Sequence, residues 1–276
     1  MYVEGNITDK QKHGMIVWTP KKPKPIHPED YRPLTLLNAD YKLMSRILAD
    51  RLNPWLTTLL YPSQHCGIRG QTVFEALATV RDAIAYAEYS RSKLCLLSLD
   101  FKEAFDYITH SYLFNLLKTY GFSPRFQQRI RDMCKNAMSC IKINGHISNP
   151  VPFKCSIRQG CPLSMQLFAL CQIHYSLTTL ENMLTGIHIF RRPAKTAVLA
   201  YADDVTLHVT SPQDTPRIKY AIEQYEAASG ARINIRKSRA MEVSFGDRSI
   251  NIKDIPYHTE MKILGINFTN SPPVLP

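Results

Sequence analysis

The feature that most constrains the fold is a short, almost wholly apolar segment, Leu94–Leu99, that ends at Asp100. A run of this length is typical of a β-strand buried on both faces, so other elements must cover its sheet. A second apolar strand pattern ends in Tyr201–Asp204, with the sequence YADD, and a new alternating strand pattern starts directly afterwards. The chain therefore predicts two buried strands that deliver acidic residues at their ends, with Asp203 and Asp204 at the tip of a tight hairpin.

The other hydrophobic patterns mix helices and strands without the regular alternation of a doubly wound parallel sheet. They favour an α+β fold with an antiparallel sheet. Helical spacing predicts one helix over 38–60 with a break near Pro54, and a second over 72–90 with Phe74 on its apolar side. Further helices are expected at 124–135, 163–180 and 218–229, and further strands at 15–18, 141–143, 196–201, 205–210 and 263–266. The polar residues 1–14 are expected to be loose.

Charge points towards a polyanionic partner. Lys and Arg number 34 and Asp and Glu 23, which gives a net charge of +11. Such an excess favours nucleic acid first and an anionic membrane surface second. No apolar run reaches the roughly 18 residues that a spanning helix needs, and no signal peptide is visible. An odd number of cysteines, 7, fits reduced thiols in an intracellular protein, with the nucleus and the cytoplasm both open.

The acidic residues suggest a metal site. Adjacent carboxylates repel each other, and Asp oxygens are ligands that suit Mg²⁺ or Mn²⁺. Two plainer interpretations stay open at this point. Asp is common in turns, which could explain Asp203 and Asp204, and Asp100 could cap a following helix. A zinc site is not expected, because the Cys and His residues lack the spacing of a ligand pair.

Six blocks, in order along the chain, resemble the motifs of reverse transcriptases from LINE-type (non-LTR) retrotransposons. The RQGCPLS and YADD sequences together carry most of the specificity. The blocks are Tyr31–Asn38 (YRPLTLLN), Asp100–Asp106 (DFKEAFD), Ile157–Ser164 (IRQGCPLS), Tyr201–Asp204 (YADD), Ser229–Ser238 (SGARINIRKS) and Met261–Gly265 (MKILG).

The resemblance implies a right-hand polymerase fold, with an antiparallel palm sheet flanked by helices, helical fingers and a thumb that is largely missing. It covers one domain over residues 15–267, with loose ends at 1–14 and 268–276. Fingers-like segments are expected at 15–93 and 111–157, and palm-like segments at 94–110 and 158–267.

The resemblance also implies roles for individual residues. Asp100 and Asp203 would hold two Mg²⁺ or Mn²⁺ ions with help from Asp204, and Lys237 would act as a general acid. Phe105 would exclude ribonucleotides by steric clash. The other residues expected to bind substrate are Arg32, the backbone of Glu103 and Ala104, Gln159, Gly160, Tyr201, and either Lys21 or Lys22.

The function implied is RNA-directed DNA polymerisation, with an RNA template, a DNA primer and deoxynucleoside triphosphates as partners and no membrane. Two alternatives stay open: a catalytically inactive nucleic-acid-binding remnant, and an RNA-directed RNA polymerase. Tyr107, where relatives often carry Arg, and Met165–Gln166, which replace a frequent Pro, depart from the pattern. Neither change removes an expected metal ligand.

Overall fold

The computed structural model describes residues 7–59, 70, 72–102, 104–153, 155, 157–172, 178–189, 195–243, 252 and 254–270. The chain divides into two compact units, each made of two separate stretches. The first unit comprises Met1–Trp55 and Phe105–Phe168, and the second comprises Leu56–Ala104 and Ala169–Pro276. Both contain helices and antiparallel strands, which confirms the expected α+β class.

Helices and strands alternate irregularly along the chain. The described helices are α1 (Asp9–Lys12), α2 (Ala39–Leu59), α3 (Val73–Ser90), α4 (Ala104–Tyr107), α5 (His110–Thr119), α6 (Pro124–Cys134), α7 (Ser164–Gln172), α8 (Thr178–Met183) and α9 (Asp214–Ser229). The described strands are β1 (Gly14–Pro20), β2 (Tyr31–Leu37), β3 (Leu94–Leu99), β4 (Met138–Ile143), β5 (His146–Ile147), β6 (Val151–Pro152), β7 (Val198–Tyr201), β8 (Asp204–Val209), β9 (Arg239–Val243), β10 (Glu260–Ile263) and β11 (Ile266–Thr269).

The first unit contains a sheet in the order β2-β1-β4-β5, with β6 also paired to β4. β1 is antiparallel to β2 and parallel to β4. Along β2, Thr35 and Leu37 are buried while Leu34 and Leu36 are exposed, which is the period-2 pattern of a strand with one covered face. An Asn144–Gly145 turn, a common hairpin sequence, joins β4 to β5 with φ values of 50° and 85°.

The second unit contains the palm-like sheet, in the order β7-β8-β3-β9. All its strand pairs are antiparallel. β3 lies between β8 and β9, and Leu94 and Leu96 are completely buried, as the apolar run predicts. Helix α3 packs in the same core through four small residues, Ala76, Val80, Ala83 and Ala87. This packing explains why α3 belongs to the second unit, whereas the sequence places residues 73–90 in a fingers-like segment; the fingers and palm division itself stays a prediction.

Two expectations about the helices are wrong. Helix α2 continues through Pro54 instead of breaking there. Pro54 has no amide hydrogen to donate to the Asp50 carbonyl, as residue 54 of a regular helix would. Both residues lie on the exposed side, where water can satisfy this carbonyl. Phe74 is 74% exposed and takes no part in the apolar side of α3, which the small residues form instead.

Two expectations about the chain's outer segments are also corrected. Residues 9–12 form α1 instead of a loose end, and Lys12 is buried, with its ammonium donating to the carbonyl of Lys135. The strand expected at 263–266 is a hairpin of β10 and β11, because Leu264 and Gly265 form its turn with positive φ.

In the part of the chain that the structure describes, no helix has the length and apolarity needed to cross a bilayer. The six described cysteines are free thiols. Cys66 lies outside the described residues.

Candidate active site

The second unit brings three acidic residues to one end of its sheet. Asp100 directly follows β3, and Asp204 is the first residue of β8. Because Leu99 pairs with Val205 in the antiparallel register, the next position sets Asp100 opposite Asp204. Asp203 lies in the turn between β7 and β8. The strand-end pattern in the sequence thus leads to three carboxyl-bearing residues at the same end of the sheet.

The turn that carries Asp203 has an unusual backbone. Ala202 adopts a φ of 54°, in the left-handed region that residues with a side chain rarely occupy. Such a conformation costs on the order of 1–2 kcal/mol for a non-glycine residue and persists only where the surrounding structure holds it. Here the paired strands on both sides of the turn supply that constraint.

The three acidic residues also interact electrostatically. Partial loss of hydration, followed by the negative charges of Asp203 and Asp100, raises the pKa of Asp204 to about 6 from an ordinary value of 3.8. The Asp204 side chain still contacts solvent. A divalent cation would offset this repulsion, and carboxylate oxygens are the donors that Mg²⁺ and Mn²⁺ prefer. The donor set therefore fits such an ion.

Among the described residues, no three acidic, histidine or cysteine side chains come close enough to form a metal site by themselves. Mg²⁺ commonly binds through one or two carboxylates and completes its shell with water and substrate phosphates. The acidic end of the sheet is therefore suited to an open site that a substrate completes.

Asp100 is held by a segment that follows α9. The Asn234 amide donates to the Asp100 carbonyl at 2.8 Å, and the Asp100 amide donates to the Ser238 hydroxyl at 3.1 Å. Ser238 is completely buried. The next residue, Phe101, forms an isolated antiparallel bridge with Ile233. The sequence motif ending at Ser238 identified this segment, but nothing in the sequence alone linked Ser238 to Asp100.

The second unit contains four further predicted site residues, Lys237, Tyr201, Ala104 and Glu103. Lys237 is exposed, and its amide donates to the Asn234 carbonyl at 3.1 Å. Tyr201 is half-buried at the end of β7. Ala104 starts α4, and only its backbone is described. Glu103 lies outside the described residues, so its predicted backbone role stays a prediction.

Phe105 lies in the first unit and packs against another aromatic ring. Its ring stacks on Phe168 with the centroids 4.3 Å apart and the planes at 26°. Phe168 is fully buried, while Phe105 is half-buried. The Phe105 carbonyl accepts a bond from the Ile157 amide at 2.8 Å, which ties it to the segment before Gln159. The Phe105 ring is thus packed on Phe168 while part of its surface stays exposed to solvent.

Gln159 and Gly160 lie against β2. The Thr35 amide donates to the Gln159 carbonyl at 2.9 Å. Gly160 has a φ of 98°, and a Cβ atom at this position would lie 2.6 Å from the Thr35 carbonyl oxygen. Only glycine fits such a position without displacing the backbone of β2. The close approach seen at Gly160 is to β2 of the same unit, and its expected contact with the nucleotide and template stays a prediction.

Arg32 is exposed on β2, where it pairs with Thr19 of β1. Lys21 and Lys22, one of which is expected to assist substrate binding, both contact the turn that joins these strands. The Lys21 ammonium donates to the Glu29 carbonyl at 2.9 Å, and the Lys22 ammonium forms an ion pair with Asp30 at 2.9 Å. The contacts do not single out either lysine for a role in substrate binding.

Arg158 has a structural role that the sequence motif did not reveal. Its side chain is buried, and its guanidinium donates to the Lys12 carbonyl at 2.6 Å and lies 4.3 Å from the centre of the Tyr41 ring. Its own carbonyl accepts from the Ser164 hydroxyl at 2.8 Å. Arg158 therefore anchors the loop that presents Gln159 and Gly160. The position of Arg158 within the IRQGCPLS block does not by itself indicate that its side chain is buried.

Comparison with known sequences places similar proteins among reverse transcriptases and transposon-encoded proteins. A family model described as "Reverse transcriptase (RNA-dependent DNA polymerase)" matches residues 19–268. The chain is 34% identical over 240 residues to the "Transposon TX1 uncharacterized 149 kDa protein" of Xenopus laevis, covering 87% of this chain and 18% of that protein. It is 24% identical over 280 residues to the Pol polyprotein from the type-2 retrotransposable element R2DM of Drosophila melanogaster, covering 96% and 26% respectively. These two relatives are thus about four to six times longer than the aligned region.

Comparison with solved structures identifies a similar fold. The chain superposes on an apo telomerase from Candida tropicalis with a TM-score of 0.65 and 12% identity, covering 95% of this chain and 54% of that one. The similarity supports a palm-like polymerase fold. The match over residues 19–268, together with relatives encoded by non-LTR retrotransposons, shows that this chain belongs to the reverse transcriptase family.

Proposed function

We propose that the chain is the RNA-directed DNA polymerase domain of a non-LTR retrotransposon protein. The observation that carries the proposal is the meeting of Asp100, Asp203 and Asp204 at one end of the palm-like sheet, where partial loss of hydration and then the charges of Asp203 and Asp100 raise the pKa of Asp204. Perturbed carboxylates of this kind are typical of catalytic centres. Members of the family generally use divalent metal ions.

Asp100 and Asp203 are proposed as ligands of two Mg²⁺ or Mn²⁺ ions, with Asp204 as a further ligand. Bound ions of this kind supply charge stabilisation to the attacking and leaving oxygens of a phosphoryl transfer. In the reaction, the primer 3′-hydroxyl gives up its proton to solvent, and its oxygen bonds to the α-phosphorus of a deoxynucleoside triphosphate while the bond from that phosphorus to the pyrophosphate oxygen breaks. The leaving pyrophosphate keeps the bonding electrons, and the exposed Lys237 donates a proton to it as general acid.

The remaining residues are proposed to bind the triphosphate and the paired strands. The guanidinium of Arg32 suits a phosphate because it offers several donors in one plane. Gln159 and Gly160 are proposed to lie against the template and the incoming nucleotide, the Glu103 and Ala104 amides to bind the triphosphate, and Tyr201 to contact the primer. The template is RNA, the primer is DNA, and the protein acts inside the cell, in the nucleus or the cytoplasm.

Primer extension on a primed RNA template tests the polymerase function. We expect deoxynucleotide incorporation that requires Mg²⁺ or Mn²⁺, and we expect Asp203→Asn to abolish it. Asp50→Asn, which changes an exposed acid on α2, is the matched control and should retain full incorporation. Full incorporation by Asp203→Asn would refute the assignment. Steep salt-dependent binding without incorporation, even with Mn²⁺, would instead favour the inactive nucleic-acid-binding remnant.

Phe105→Val tests the proposed sugar selection. Shortening the ring opens space where a ribose 2′-hydroxyl would lie, so we expect the preference for deoxyribonucleotides over ribonucleotides to fall at least about tenfold, equivalent to roughly 1.4 kcal/mol. Phe114→Val, which shortens another half-buried ring of the first unit, controls for general loss of packing. Unchanged selectivity in Phe105→Val would exclude this role. A wild-type preference for ribonucleotides would point to an RNA polymerase.

A further inference from the structure

The backbone of Asp100 is held on both sides by one short turn, Asn234–Ser238. The Asn234 amide donates to its carbonyl, and the Ser238 hydroxyl accepts from its amide, at 2.8 and 3.1 Å. These partners lie 134 and 138 positions further along the chain, so local structure does not create the contact. The two bonds together restrict the position of the peptide units on either side of Asp100.

The Ser238 hydroxyl is itself oriented. It donates to the Asn234 carbonyl at 2.9 Å, so its lone pairs are left to accept the Asp100 amide. The Asn234 carbonyl also accepts from the amides of Lys237 and Ser238 at 3.1 and 2.9 Å. Loss of the Ser238 hydroxyl would therefore leave the Asn234 carbonyl with two partners. The Asp100 amide, in contrast, would lose the acceptor that Ser238 provides.

We propose that Ser238 is a positioning residue that sets the Asp100 carboxylate for binding a divalent cation; this rests on the polymerase function proposed above. Lys237 precedes Ser238 in the same turn. The turn therefore links the backbone of a proposed metal ligand to the residue proposed to protonate pyrophosphate.

The direct test measures cation binding by Ser238→Ala with Mn²⁺ as the probe, by calorimetry. Groups that orient metal ligands typically change metal affinity about 10- to 100-fold when they are removed. We expect the Mn²⁺ dissociation constant to rise at least about tenfold in Ser238→Ala. Ser238→Cys keeps the shape of the side chain but offers a weaker sulfur acceptor, so it should show an intermediate loss while folding normally. Ser238→Thr, which restores the hydroxyl, should recover most of the affinity.

Ser229→Ala is the matched control. Ser229 is equally buried in the same unit, and its hydroxyl donates to the Tyr225 carbonyl at 2.6 Å and accepts from the Ala231 amide at 3.1 Å. Its loss removes a comparable pair of hydrogen bonds without touching Asp100. We expect Ser229→Ala to lower thermal stability while leaving the Mn²⁺ dissociation constant within about twofold of the wild-type value.

Hydrogen exchange of the Asp100 amide separates this proposal from the polymerase assignment. Exchange should speed up in Ser238→Ala and stay unchanged in Ser229→Ala. If both effects on Ser238→Ala are seen but the wild type extends no primer, the polymerase assignment fails and the positioning role stands. If Ser238→Ala binds Mn²⁺ and exchanges its Asp100 amide like Ser229→Ala, the positioning role is wrong, whatever the polymerase activity.

Discussion

Ionising the Asp204 carboxyl group costs more free energy in the folded protein than in the unfolded chain. Its raised pKa means that, between pH 3.8 and about 6, the folded protein without metal binds more protons at this site than the unfolded chain does. Stability without metal therefore falls as the pH rises through this range, and the loss is complete above about pH 6. Cation binding has the opposite dependence, because it requires the ionised carboxylate.

Asp204→Asn should remove this penalty. With a chelator present at pH 8, we expect the melting temperature to rise by about 2–4 °C, which corresponds to about 1 kcal/mol after allowing for the solvent contact of this side chain. At pH 3.5 both states are largely protonated, so the rise should vanish. The same pair of melting curves for Asp50→Asn provides the control. An equal change in melting temperature at both pH values would contradict the electrostatic explanation.

The position of the acidic residues at the end of the sheet can be predicted from the sequence, whereas the side chains that hold the surrounding backbone in place cannot. Asp100 and Asp204 follow from apolar strands that end in acids, because the ends of neighbouring strands meet at one end of a sheet. The hydroxyl of Ser238 and the guanidinium of Arg158 could not be assigned in this way. Their partners are backbone groups far away in the chain, and a backbone group leaves no residue type to detect.

Gly160 joins the loop before α7 to β2 by a close backbone approach. Replacing it by Ala adds both an unfavourable positive φ and a contact of 2.6 Å with the Thr35 carbonyl. Gly145, with a φ of 85° and no atom within 4 Å of an added Cβ, isolates the first effect. The two positions therefore allow the conformational and steric costs to be separated.

We expect Gly145→Ala to lower the free energy of unfolding by about 1 kcal/mol, and Gly160→Ala to lower it by about 2–4 kcal/mol, because a clash with the backbone adds to the positive φ. Urea unfolding followed by circular dichroism measures both. Equal losses would show that β2 yields to the added methyl group without cost.

Whether a segment is a helix or a strand is easier to predict from the sequence than which of its residues are buried or which strand it pairs with. The run Leu94–Leu99 gives β3 with its observed bounds, and the helix expected at 124–135 is α6, where the Ser123 hydroxyl accepts from the Phe126 amide. The exposed position of Phe74 was missed, because small residues, which have little hydrophobic signal, form the packed side of α3. β9 was also missed, because its place beside β3 depends on a distant partner.

The net charge of +11 should make nucleic-acid binding strongly dependent on salt. If about five phosphates of single-stranded RNA are contacted, the affinity should fall about 100-fold between 50 and 200 mM monovalent salt, because condensed counterions are released on binding. Fluorescence anisotropy with a labelled oligonucleotide measures this. A dissociation constant that changes less than threefold over that range would show that charge contributes little to binding.

The order β7-β8-β3-β9 has a consequence for how the protein is made. Leu97 of β3 pairs with Leu207 of β8, 110 residues further along the chain. Until the ribosome has synthesised both neighbouring strands, β3 emerges as an uncovered hydrophobic segment, and long-range pairing of this kind is slow and prone to aggregation. A nascent chain stalled before β8 should therefore depend on chaperones far more than a chain released after β9.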